Sequence, residues 1–110
     1  MSKVVEFTDQ NFEQEVLKAQ GTVVVDFTAE WCPHCKHLAP VIEQLAEEYA
    51  DAVKIGAMNV SENTQTPTKY SVLGIPTVII FKDGKQADVN VGFAPKAELK
   101  AKIDAVAKKG

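Results

Sequence analysis

Both cysteines of the 110-residue chain fall in one tetrapeptide, Cys32-Pro33-His34-Cys35. A bridge between them would close a tiny loop and remove little entropy from the unfolded chain, so the pair suits chemistry and not stapling. Apolar periodicity predicts a helix from His34 to Tyr49 directly after it. With Cys32 at the N-cap, Pro33 becomes the first helical residue, where its missing N–H costs nothing. An N-cap side chain normally accepts the N–H groups that His34 and Cys35 then present. A thiolate there also faces the positive end of the helix dipole, about half a charge. Both effects favour the anion at Cys32, which is the nucleophilic form. Cys35 shares its helical face, at roughly the 5–6 Å Cα separation that a disulfide requires. The expected chemistry is exchange. Cys32 attacks a disulfide, a mixed disulfide forms, and Cys35, shielded one turn deeper, resolves it. In the oxidising direction the same steps reverse. An imidazole donor on His34 near the Cys32 sulfur would stabilise the dithiol form and make the couple less reducing than with Gly-Pro between the cysteines. A solvent-facing His34 is the alternative, and it stays open here.

The surrounding chain alternates between the two hydrophobic periods. Strands are predicted at 4–7, 22–27, 53–60, 77–81 and 86–91. Helices are predicted at 11–18, 34–49, 66–70 and 95–109, the first capped by Thr8 or Asp9. The run Thr22 to Phe27 is nearly continuous in β-branched residues, the mark of a central strand buried on both faces. Leu38, Val41 or Ile42, Leu45 and Tyr49 form the apolar face of the long helix, which Pro40 should kink. Leu99, Ile103 and Val106 mark the last helix, with Pro95 in its first turn and Lys108 and Lys109 at its C-terminal end. Asp83-Gly84 signals a hairpin. The order β-α-β-α-β-α-β-β-α implies parallel pairing for strands separated by helices and an antiparallel final hairpin. The fold class is therefore α/β, a mixed central sheet flanked by helices.

One domain, residues 1–110, is expected from the length, and it can bury a core without staples. Twelve lysines, no arginine and a net charge of −3 leave no guanidinium fork for phosphate or guanine, so nucleic-acid binding is not expected. The longest apolar runs are too short to span a bilayer. Met1-Ser2-Lys3-Val4-Val5-Glu6 carries no apolar h-region, so no membrane or secretory segment is expected and a cytoplasmic location is. No glycine-rich dinucleotide loop is present, so no bound cofactor is expected beyond the cysteine pair itself.

The segment Val-Asp-Phe-Thr-Ala-Glu-Trp-Cys-Pro-His-Cys-Lys at 25–36, with Gly74-Ile75-Pro76-Thr77, Phe81-Lys82-Asp83-Gly84 and Val91-Gly92, resembles the thioredoxin family across essentially the whole chain. The resemblance implies the thioredoxin fold and protein-disulfide oxidoreductase activity. It makes Cys32 the attacking thiol, Cys35 the resolving thiol, and Asp26 a buried carboxylate that accepts the Cys35 proton. A carboxylate between Val25 and Phe27 on a doubly covered strand should be desolvated and hard to ionise, unless it is a paired structural acid. Pro76 resembles the family's cis-proline, and Ile75 beside it would offer backbone groups to an extended substrate. Trp31, Pro33, Val60, Gly92 and Phe93 complete the implied substrate-binding set, although Trp31 could equally pack over its own loop. Disulfide-containing proteins are the implied substrates. Whether a thioredoxin reductase supplies electrons stays open, and a monomer is expected.

Departures from the family pattern stand at four places. Pro33-His34 replaces the usual Gly-Pro and is similar to the dipeptide of periplasmic disulfide oxidases. Thr28 stands where tryptophan is common. Ala57 stands where a lysine often neighbours the buried acid, which should leave Asp26 harder still to ionise. Phe93 replaces a smaller residue and should narrow the groove. An isomerase, an oxidant and a non-catalytic binding module therefore remain alternatives. Zinc is not expected, because Cys32, His34, Cys35 and His37 on one helical turn cannot converge on a tetrahedral centre. Covalent haem would need histidine where Lys36 stands.

Overall fold

The computed structural model describes residues 3–108. Its elements are β1 (Val5–Phe7), a π-helical segment (Glu13–Leu17), β2 (Thr22–Thr28), α1 (Pro33–Tyr49), β3 (Lys54–Asn59), α2 (Gln65–Lys69), β4 (Thr77–Lys82), β5 (Lys85–Val91) and α3 (Lys96–Ala107). The strands form one sheet in the order β1-β3-β2-β4-β5. The β-branched run at 22–28 is thus its central strand, as its composition predicts.

Alternation along β2 divides the core in two. Val23, Val25 and Phe27 pack with Phe7, Phe12, Val16, Met58, Ile79 and Phe81 on one face. Val24 packs on the other face with Leu38, Ile42 and Leu45 of α1 and with Leu99, Ile103 and Val106 of α3. These are the helix faces expected from the sequence.

Parallel pairing holds for β1 with β3 and for β2 with β3, but not for β4, which runs antiparallel to β2. The expectation that a helix between strands implies parallel strands fails there for a reason of length. Helix α2 has five residues, about 7.5 Å of rise. Strand β3 has six, about 20 Å. So short a helix does not carry the chain back along β3, and β4 starts at the end where β3 finishes. That same end holds the cysteines. The β4–β5 hairpin is antiparallel as expected, and Asp83 (φ 51) and Gly84 (φ 82) both take the left-handed conformation that its two-residue turn demands.

The first helical segment is shorter than 11–18 and of π type, closed by the Lys18 N–H on the Glu13 carbonyl at 2.9 Å. Thr8 does cap it. Its hydroxyl accepts the Asn11 N–H at 3.1 Å, while Asn11 Oδ1 accepts the Thr8 N–H at 2.8 Å. Asp9 serves α2 instead, accepting the Thr66 N–H at 2.9 Å and the Thr66 hydroxyl at 2.7 Å. Pro95 precedes α3 as its N-cap, with an extended ψ of 156°, and is not in its first turn. Lys109 lies outside the described residues.

Candidate active site

The head of α1 has the predicted geometry. Cys32 is the N-cap, extended at φ −101° and ψ 113°, and Pro33 opens the helix. The Cys35 N–H donates to Cys32 Sγ at 3.3 Å. The sulfur therefore occupies the place an N-cap oxygen usually fills. The Cys32 thiol in turn lies 3.8 Å from the Ile75 carbonyl oxygen, its hydrogen-bond acceptor. The Ile75–Pro76 peptide is cis. Both thiols are free. They pack with Ala29 and are covered at the edges by Val60 and Ile75.

Cys35 is shielded as expected, but Cys32 is nearly as well covered, so depth alone does not separate the two thiols. Cys32 is 5% exposed and Cys35 2%. Their partners differ instead. Burial and the Cys32 sulfur push the Cys35 thiol above the ordinary range, against weaker opposing hydrogen bonds from the Thr28 hydroxyl and the Ala29 backbone. Thr28, noted above only as a departure, thus stands against the second thiol.

Asp26 lies on the β2 face beneath α1, between Ala57 of β3 and Val78 of β4. It is 3% exposed. Its Oδ1 has no hydrogen-bond partner, and burial pushes its pKa up to about 7. That is the desolvated acid expected from its neighbours, and Ala57 supplies no charge across the strand.

Trp31, Val60 and Ile75 line one hollow beside the thiols, together with Pro67, Val72, Leu73 and Gly74. Trp31 is 66% exposed, so it does not simply fold over its loop. Its Nε1–H donates to Ser61 Oγ at 3.0 Å, which fixes the ring as one rim. On the other side the Gly92 N–H donates to the Pro76 carbonyl at 2.7 Å, and Phe93 beside it is exposed. Leu73, almost fully solvent-exposed, was missed in the sequence. Its signal was an apolar residue in a turn, outside any helical or strand period.

His34 and His37 are exposed on the first turns of α1, their rings edge to face at 6.4 Å between centroids. Among the described residues no group of three or more His, Cys, Asp or Glu side chains is placed to hold a metal ion. Nor is any described helix long and apolar enough to cross a membrane.

Comparison with known proteins bears on the same features. The Thioredoxin family profile matches residues 3–105. A thioredoxin of Pseudomonas aeruginosa is 48% identical over 102 residues, 93% of this chain and 94% of that one. A thioredoxin of Rhodospirillum rubrum is 50% identical over 92 residues, covering 84% and 88% of the two chains. Thioredoxin 1 of Synechococcus elongatus is 42% identical over 104 residues, covering 94% and 97%. With matches of this strength running through nearly the whole of both chains, the protein belongs to the thioredoxin family and is a protein-disulfide oxidoreductase.

Proposed function

We propose that Cys32 is the attacking thiolate and Cys35 the resolving one in the reduction of protein disulfides. The observation that carries this reading is the Cys35 N–H on Cys32 Sγ at 3.3 Å. That bond strengthens when the sulfur is negative, and the helix dipole acts in the same sense. The thiolate attacks one sulfur of a substrate disulfide. A Cys32–substrate disulfide forms, and the other substrate sulfur leaves as a thiolate. Cys35 gives up its proton and attacks Cys32 Sγ, which expels the second substrate thiolate and leaves the Cys32–Cys35 disulfide. Asp26 takes the Cys35 proton. Support for that role comes from its pKa near 7 and its place two residues before Thr28, which touches the Cys35 thiol. The substrate chain lies extended between Trp31, Val60 and Ile75 on one side and Pro33, Pro76, Gly92 and Phe93 on the other, pairing with the backbone at Ile75.

The protein acts as a monomer on disulfide-containing proteins. It is reduced again by a thioredoxin reductase and works in a reducing compartment such as the cytoplasm. Limited iodoacetamide followed by peptide mapping tests the assignment. Cys32 is expected to be carboxamidomethylated first, and equal or preferred labelling of Cys35 would overturn it.

His34 sets the redox poise. What supports this is its place in the sequence between the two cysteines, at the second residue of a helix whose N-terminus already favours negative charge. Its exposure means that its field is partly screened. His34→Pro is therefore expected to make the couple more reducing by a modest amount, on the order of 30 mV or tenfold in the equilibrium constant. Equilibration with glutathione reads this directly, and an unchanged potential removes His34 from the active set.

A further inference from the structure

We propose that Asn90 is a positioning residue for substrate binding, holding the Gly92–Phe93 wall of the groove from behind. The proposal rests on the groove described above.

Strand β5 lies at the sheet edge and is otherwise solvated or half-solvated, yet Asn90 is only 8% exposed. A buried amide must spend its hydrogen-bonding groups within the protein. Asn90 does so in two directions. Its Oδ1 accepts from Lys102 Nζ of α3 at 3.2 Å, and its Nδ2 donates to the Gly92 carbonyl at 3.1 Å. The Gly92 N–H then donates to the Pro76 carbonyl at 2.7 Å. A continuous hydrogen-bonded path thus runs from α3 to the loop whose Ile75 carbonyl faces the Cys32 thiol.

The segment it holds needs holding. Gly92 has φ +89°, with nothing near the position a Cβ would take, so no side chain packs it in place. Past it, Phe93 is 48% exposed while Ala94 is fully buried. Phe93 therefore projects from a short span pinned at both ends, at Asn90 through α3 and at Ala94 in the core. If the Asn90 end is released, the Gly92 carbonyl loses its tether while its N–H stays on Pro76, so the bend at Gly92 gains freedom and the aromatic rim shifts with it. The thiols and their helix are untouched.

The test compares insulin with bis(2-hydroxyethyl) disulfide, which is too small to reach the wall. Asn90→Asp keeps an acceptor for Lys102 and so preserves the anchor, but removes the donor to Gly92. Its KM for insulin is expected to rise about three- to tenfold, the worth of one hydrogen bond, with kcat within about twofold. Its kcat/KM for the small disulfide should change less than about twofold. Lys102→Met should shift insulin KM in the same direction by less. Phe93→Ala serves as the control for the groove itself. A raised insulin KM in Phe93→Ala with no change in Asn90→Asp overturns the role of Asn90 and leaves the groove standing. Unchanged KM in both removes the groove, and the proposal falls with it. Equal losses on both substrates would show a general structural effect and overturn the proposal as well.

Discussion

Cys32→Ser is expected to lower insulin-disulfide reduction by at least about 10³-fold, the scale on which loss of a nucleophile acts. The hydroxyl inherits the Cys35 N–H and the helix terminus, so the fold and local bonding survive while the nucleophile is lost. Cys35→Ser should lose turnover to a similar degree but fail at a different step. Cys32 would still attack, and the mixed disulfide would persist because nothing expels the substrate thiolate. Non-reducing electrophoresis and intact mass after mixing with insulin separate the two. A trapped adduct is expected for Cys35→Ser and none for Cys32→Ser. The reverse pattern would exchange the two roles, and full turnover by both variants would remove the thiols from the reaction.

The second large effect is on stability and turns on pH. Asp26 is a buried acid whose folded pKa, about 7, lies above the ordinary 3.8. Below about pH 4 both folded and unfolded chains hold the proton, and the group costs nothing by this route. Between about 4 and 7 the unfolded chain releases the proton while the folded protein keeps it, so stability drains as pH rises. Above about 7 the folded protein carries the buried charge at full cost. At about 1.4 kcal/mol per pH unit, that span corresponds to about 4 kcal/mol. Asp26→Asn removes the ionisation. Relative to the parent, the reduced variant should therefore gain about 4 kcal/mol at pH 8 over whatever difference it shows at pH 4. Taking the difference between the two pH values cancels the fixed cost of burying an amide. Guanidinium unfolding of both dithiol proteins measures it, and a pH-dependent gain below about 1 kcal/mol would show that Asp26 ionises freely in the fold. The same variant should slow the resolving step if Asp26 accepts the Cys35 proton.

The cap at Cys32, the central place of β2 and the burial of Asp26 were each legible in the sequence, because each rests on local rules, whereas the absence of a hydrogen-bond partner on Asp26 Oδ1 was not. A cysteine before Pro33 at the head of an apolar-periodic run caps a helix wherever the chain folds. Val23-Val24-Val25 must be covered on both sides, and an acid set between Val25 and Phe27 is dry by necessity. The apolar faces of α1 and α3 follow from the same periodicity. The π-type winding at Glu13–Leu17 was not legible. Nor was the use of Asp9 to cap α2, because its partners stand more than fifty residues away.

By itself the sequence determined which thiol caps the helix, which acid is desolvated and which segments form the sheet, since spacing and hydrophobic period act between near neighbours. Tertiary structure alone decided the reversal of β4, the meeting of Ile75 with Cys32, the exposed Leu73 on the groove and the Lys102–Asn90–Gly92 support. Those contacts join residues far apart in the chain. Their geometry follows from how the short α2 turns the chain and where α3 docks, and no local pattern encodes either.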